Sequence, residues 1–306
     1  MAQPESRTAI IAALIGNLCI AVTKGIAAAI SGSSAMLSEA VHSLVDTGNE
    51  VLLLYGQHRS QKPPDEIHPY GYGRELYFWS FVVALLIFAL GAGVSLYEGV
   101  IHILHPEQIE QAWINFTVFG LSFLFEGVSW WFGWKSFDAT RAGRGVWADF
   151  KSSKDPTSFM VLFEDSAALI GIVIAAAATA LSLYFEAPWI DGTGSILIGV
   201  LLAVVAVVLA RESKALLIGE RAAPELAKAI KRIATAESCV TRVISVTTSQ
   251  LSPEQVIATI GIDIEDGLRV PEVEQLIERL ETQIQAEHPE VYRIFIRPEA
   301  APAQAH

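Results

Sequence analysis

Apolar residues gather in six long runs, at positions 8–30, 34–57, 76–101, 113–137, 157–185 and 189–210. Each holds about the 20 residues a helix needs to cross some 30 Å of hydrocarbon. From Arg211 onward the pattern changes. Residues 224–236 carry apolar side chains at helical spacing (Leu226, Ile230, Ile233), opened by Pro224 where the first turn tolerates proline. Residues 242–250 and 256–264 alternate as strands on either side of a turn at Ser252 and Pro253. Residues 271–287 are helical again, with Val273, Leu276, Ile277, Leu280 and Ile284 on one face, and 292–296 reads as a last short strand. The pattern thus predicts a mostly α membrane protein. Six transmembrane helices fill 1–211, a small cytoplasmic αββαβ domain fills 212–298, and 299–306 forms a disordered tail. An open sheet backed by two helices, in a ferredoxin- or metallochaperone-like arrangement, fits that order. So small a domain has a thin core, which makes pairing with a second copy expected.

Composition supports a membrane protein. Only 18% of the residues are charged, against about 25% in average soluble domains, and the mean hydropathy is +0.42. Two cysteines, Cys19 and Cys239, do not make a disulfide framework, and a net charge of −12 argues against a nucleic-acid partner. The first apolar run is too long, and its basic start at Arg7 too thin, for a cleavable signal peptide. The loop between runs two and three carries Arg59, Lys62 and Arg74. The loop between runs four and five carries Arg141, Arg144, Lys151 and Lys154, with Lys135 at its edge. The loops around Gly32, Pro106 and Pro188 have no lysine or arginine. The basic loops face the cytoplasm, and so do both termini. Short loops and no visible targeting segment point to a bacterial inner membrane.

Ionisable side chains inside a membrane cost at least about 2.5–3.5 kcal/mol each on insertion scales, so they call for a reason. Run two holds Glu39, His42, Asp46, Asn49 and Glu50, which fall within an arc of about 100° on one helix face. His42 and Asp46 stand at i and i+4, where an imidazole and a carboxylate can converge on one ion. Run five supplies Glu164 and Asp165, with Asp165 about 12 Å from the cytoplasmic end at 1.5 Å per residue, a depth similar to that of Asp46. Glu126 in run four and Asn17 and Lys24 in run one are further polar candidates. Lys24, Glu50 and Glu98 read as charges that snorkel to an interface. Clustered carboxylates with a histidine need a cation. Mixed nitrogen and oxygen ligation suits Zn²⁺, Mn²⁺, Fe²⁺, Co²⁺ or Ni²⁺, with no cysteine nearby to favour a soft ion.

Two motifs now stand in order: Ser-Gly-Ser-Ser-Ala-Met-Leu-Ser-Glu-Ala-Val-His-Ser-Leu-Val-Asp-Thr-Gly-Asn at 31–49, and Asp65-x-x-His68-Pro-Tyr-Gly-Tyr-Gly-Arg74. With the six runs and the αββαβ tail, they resemble the cation diffusion facilitator family of zinc and manganese transporters. The resemblance implies a homodimeric exporter of divalent cations, zinc first among them, working by proton antiport. It also implies a transport site built from two i, i+4 pairs. His42 and Asp46 match the first pair and Asp165 the second member of the other, but Val161 stands where its first member belongs. The fourth ligand is left open between Glu164, Glu126 and a water. Asp65 and His68 match a loop site, whose third position holds Tyr72. Arg74 and Glu220 match a charge pair that locks the dimer beneath the membrane. The tail strands have no histidine, and His288 and His306 are the only ones after Arg211, so a strong tail metal site is not expected.

Bound histidine must be neutral and bound carboxylates ionised, so metal and protons compete for the same atoms. With an ordinary pKa of about 6.5, His42 is the expected proton-exchanging group in an alternating-access cycle. Two other classes remain: an intramembrane aspartyl protease using Asp46 and Asp165, to which His42 is foreign, and a non-transporting membrane metal sensor. No His-Glu-x-x-His motif suggests a metalloprotease. The protein is read as having no prosthetic group and no enzymatic activity.

Overall fold

The structure, a computed structural model, describes residues 4–299 apart from 107, 110, 141–144, 147–148 and 151–153. Three of the basic loop residues, Arg141, Arg144 and Lys151, and the tail from 300 on therefore lie outside the described residues. The chain divides into two compact units, one of residues 1–59 and 75–214, the other of residues 60–74 and 215–306.

Six long helices cover the apolar runs: α1 (Pro4–Ser31), α2 (Ser34–Ser60), α3 (Glu75–Leu104), α4 (Ala112–Thr140), α5 (Pro156–Tyr184) and α6 (Trp189–Leu217). Among the described residues, four stretches are long and apolar enough to cross a membrane by themselves: Glu75–Leu104, Ala112–Lys135, Phe159–Tyr184 and Trp189–Leu217. In α1 the apolar stretch found is the shorter Asn17–Ser31. The second helix is long, but its apolar character is diluted by Glu39, His42, Asp46, Asn49 and Glu50. α3 is not regular throughout. Ile87–Ala92 winds as a π-helix, a local widening that the periodicity of run three does not announce.

Local chemistry explains how the helices begin and how closely they pack. Asp155 caps α5 by accepting the Thr157 N–H at 3.0 Å, with Pro156 in the first turn. Helices α3 and α6 cross at glycine: a Cβ on Gly99 would lie 2.7 Å from the Gly192 carbonyl oxygen, and one on Gly192 would lie 2.8 Å from that of Gly99. Gly32, at φ 67°, makes the sharp link between α1 and α2. Just beyond it, the buried Asp191 of α6 accepts hydrogen bonds from Ser33 Oγ at 3.0 Å, the Ala35 N–H at 3.0 Å and Thr179 Oγ1 at 2.9 Å. Ser34 and Ser195 hydroxyls meet at 2.6 Å. The orphan donors at the start of α2 are thereby satisfied from α6 and Ser33, and α5 is tied to the same carboxylate.

Replacing Asp191 by alanine strands these buried donors. We expect a loss of about 3 kcal/mol, at roughly 1–3 kcal/mol for each buried donor left unmade. At about 2–4 °C per kcal/mol for a unit of this size, that lowers the Tm by about 6–12 °C in detergent. A scanning-fluorimetry Tm equal to wild type would show that the carboxylate does not hold α2.

The second unit realises the αββαβ order: α7 (Pro224–Ala236), β1 (Val240–Ser252), β2 (Gln255–Ile264), α8 (Val270–Glu287) and β3 (Val291–Pro298). The sheet order is β1-β2-β3, with β1 and β2 antiparallel and β2 and β3 parallel. The parallel step needs a crossover, and α8 supplies it. Leu226, Ile230 and Ile233 of α7 and Leu276, Leu280 and Ile284 of α8 are buried with alternate residues of β2 (Val256, Ala258, Ile260, Ile262). The strands extend beyond their apolar cores: β1 gains residues at both ends, accommodated by register shifts near Val240, Val243 and Gln250. Glu299, placed in the tail on sequence grounds, donates its N–H to the Ile262 carbonyl at 2.8 Å and prolongs the sheet edge.

Candidate metal centre

The polar face read on run two is real and turns inward. His42 is 1% exposed and Glu39 and Asn49 are fully buried. In the first unit, one chamber is walled by Ser43, Asp46 and Glu50 of α2, Glu126 of α4, and Val161, Glu164 and Asp165 of α5, with Asn17 of α1 closing it. Carboxylates from three helices therefore face one space. Most are anchored by a neutral side chain. Asn49 Nδ2 donates to Glu164 Oε1 at 3.0 Å, Asn17 Nδ2 to Glu50 Oε1 at 2.7 Å, and Ser129 Oγ to Asp165 Oδ2 at 2.9 Å. Each bond occupies one carboxylate oxygen and leaves the other available for a cation.

His42 stands beside this wall. Its Nδ1 is 3.3 Å from Asp46 Oδ1, within ion-pair reach but not aligned as a hydrogen bond, so the i, i+4 approach expected from spacing is present. Glu164, one of the residues left open for the fourth position, lines the same chamber as Asp165 although the two neighbours are about 100° apart around the helix axis. Glu126 reaches in from α4, and the half-buried Val161 presents an apolar surface where the fourth ligand would stand. The side chains share a space without closing on a point: among the described residues, no three His, Cys, Asp or Glu form a group that could hold a metal ion.

The snorkelling reading of Lys24 and Glu50 is overturned. Lys24 is fully buried and its Nζ lies 3.2 Å from Glu39 Oε2 and 2.7 Å from Ser43 Oγ; Glu50 belongs to the chamber wall. Sequence spacing gave no hint of the Lys24 and Glu39 pair, which joins two helices. Asp191 was also missed, because an aspartate in the first turn of a helix reads as an ordinary end residue.

The loop residues form a closed turn in the second unit. Asp65 Oδ1 accepts the N–H groups of Ile67 and His68, at 3.0 and 2.6 Å, and Tyr72 donates its hydroxyl to Oδ2 at 2.6 Å. The Tyr72 hydroxyl, followed by the His68 N–H, holds the Asp65 carboxyl below the usual carboxylate range. His68 Nδ1 is 3.5 Å from Asp65 Oδ1, and its ring lies 4.1 Å from that of Tyr72. Both Asp65 oxygens are thus engaged within the turn. Arg74 donates to Ser249 Oγ at 3.4 Å, while the Glu220 carbonyl accepts the N–H of the next residue, Gln250, at 2.9 Å. The end of β1 therefore holds both members of the expected charge pair close by. His288 Nδ1 lies 3.2 Å from Glu290 Oε1; His306 lies outside the described residues.

Residues 10–218 match the family described as the cation efflux transmembrane domain. The chain belongs to the cation diffusion facilitator family. Its relatives include the human proton-coupled zinc antiporter SLC30A9, a mitochondrial protein, 35% identical over 197 residues, which are 64% of this chain and 35% of the relative. Metal tolerance protein C4 of Arabidopsis thaliana is 36% identical over 195 residues, 62% of this chain and 42% of the relative. Magnetosome protein MamM of Paramagnetospirillum magneticum is 38% identical over 74 residues, 24% of this chain and 23% of the relative. The chain thus spans about a third to two-fifths of the length of the first two. Facilitator proteins are transporters, and this one is a membrane protein with several helices apolar enough to cross the bilayer.

Proposed function

We propose that this facilitator exports divalent metal cations, zinc first among them, from the cytoplasm in exchange for protons. The observation that carries the reading is the chamber that Asp46 of α2 and Asp165 of α5 share inside the apolar helix unit. His42, Asp46 and Asp165 bind the ion. Glu164, which lines the chamber, completes the set in place of Val161, with Glu126 as relay. His42 exchanges the proton, because its imidazole must be neutral to bind metal and regains a proton once the ion has left. The relatives named for proton-coupled zinc antiport and for metal tolerance support the cargo and the coupling.

The reading takes α1 to α6 as six crossings, with both termini on the cytoplasmic side as the basic loops require. The short loops favour a bacterial plasma membrane. The C-terminal unit, ferredoxin-like in its αββαβ order, pairs two copies, with Arg74 and Glu220 as the membrane-proximal charge lock. The Asp65 and His68 pair is a minor loop contact for metal, since the turn already uses both Asp65 oxygens.

Purified protein in proteoliposomes, offered Zn²⁺, Mn²⁺, Fe²⁺ and Co²⁺ side by side with lumen pH followed, tests this. Zinc entry is expected to draw protons out, so the lumen becomes alkaline, and an imposed acid-inside gradient speeds entry. Zinc flux indifferent to the proton gradient would remove the coupling, and no cation flux would remove the reading.

A further inference from the structure

A stripe of buried polar atoms runs along α2 past the chamber. Ser38 Oγ, Glu39 Oε1, both ring nitrogens of His42, Asp46 Oδ1 and Asn49 Oδ1 are buried without a hydrogen-bond partner among the described residues. From Glu39 the positions step by three, four and three, so they share one face over about 15 Å at 1.5 Å per residue. Buried acceptors left unpaired are unfavourable unless a donor or cation visits them. The transport site accounts for the stretch from His42 to Asn49. Glu39 lies beyond it, on the side away from Arg59.

Glu39 has its own cation. Lys24 is the only lysine or arginine buried among the described residues. Its ammonium divides itself between Glu39 Oε2 and Ser43 Oγ, and Ser43 belongs to the chamber wall. The second carboxylate oxygen, Oε1, faces Gly171 of α5, where a Cβ would stand 2.5 Å away. A side chain at 171 would make that oxygen shift. The group is therefore a carboxylate with one oxygen neutralised by a tethered cation and the other held unpaired, three residues from His42.

We propose that Glu39 is a second cation station on the transport path, and that the Lys24 ammonium fills it between transport events. The inference rests on the transport reading and deepens it. A divalent ion leaving His42 towards Glu39 displaces the ammonium, which stays bonded to Ser43. When the ion moves on, Lys24 returns and keeps the station from trapping the next one. Charge balance favours this exchange, because an isolated carboxylate at that depth is costly without a cation.

The test counts ions. Full-length wild type, K24Q, E39Q and K24Q/E39Q are saturated with zinc in detergent, separated from free metal by gel filtration and assayed for zinc per protomer; flux is read in proteoliposomes. K24Q is expected to retain one more zinc per protomer than wild type and to transport about tenfold more slowly. K24Q/E39Q should lose the extra ion and transport faster than K24Q. K24R, which keeps the charge, should keep the wild-type count even if K24Q fails to fold, and an extra ion in K24R overturns the proposal. So does a wild-type count in a folded K24Q, or an extra ion that survives in K24Q/E39Q. If wild type moves no cation while K24Q still gains its ion, the transport reading falls and the station stands.

Discussion

Asp46→Ala and Asp165→Ala are each expected to lower zinc flux by about 100-fold or more while leaving the protein monodisperse in detergent. Losing a group that hydrogen-bonds to a metal ligand costs about 10–100-fold, so losing a ligand that touches the ion costs at least that much. Both aspartates sit where removal has a small structural cost. Asp165 accepts a hydrogen bond from Ser129, and Asp46 touches His42 without an aligned hydrogen bond. Their carboxylates also line a chamber already crowded with Glu50, Glu126 and Glu164, so losing one negative charge relieves repulsion as much as it removes an attraction. Loss of flux with an unchanged Tm would therefore report on the ion. The asparagine variants sharpen the point, because asparagine keeps shape and a carbonyl acceptor but not the charge that a divalent ion needs. Flux at the wild-type rate in either alanine variant would remove that residue from the site.

Much of this arrangement was legible in the sequence where a local rule dominates. The first helix of the C-terminal unit begins and ends where proline placement and apolar spacing put it, at Pro224–Ala236. The polar face of α2 followed from a 3.6-residue period, which survives folding because a helix keeps its own geometry whatever it packs against. What stayed hidden is what depends on partners. The pairing of Lys24 with Glu39 needs α1 and α2 side by side, and the capping of α2 by Asp191 needs α6. Spacing along one helix encodes neither. Glu164 was one of several residues left open for the fourth position, and only the packing of α5 against α2 and α4 shows that it lines the chamber beside Asp165. The π-helical turn at Ile87–Ala92 adds a residue to a helical turn, a shift too small for apolar periodicity to reveal. The loop motif tells the same lesson in reverse. Asp65 and His68 do lie together, but Tyr72, the departure from the family pattern, spends an Asp65 oxygen on a hydroxyl bond.

Val161→His is expected to tighten zinc binding by about 10- to 100-fold, or about 1.4–2.8 kcal/mol at 1.4 kcal/mol per decade. Val161 already lines the chamber, four residues before Asp165, so an imidazole there stands over the same helix face as the carboxylate. Its aliphatic side chain offers no donor atom to a metal, and histidine adds a nitrogen ligand of the kind zinc prefers. The sign of the pH effect follows. An added histidine must be neutral to bind, so the gain is largest above its pKa and shrinks as the pH falls and the ring takes a proton. Tighter binding carries a kinetic cost: the ion leaves more slowly, and saturated flux falls even as affinity rises. Competition with a zinc-sensitive dye, titrated across pH 5.5–8 in steps of about one unit around the ordinary histidine pKa, reads the first effect, and proteoliposome flux at saturating zinc reads the second. An affinity unchanged from wild type at the alkaline end would mean that position 161 does not face the ion. The site would then be complete with Glu164 as its fourth ligand and have no place at 161 for another.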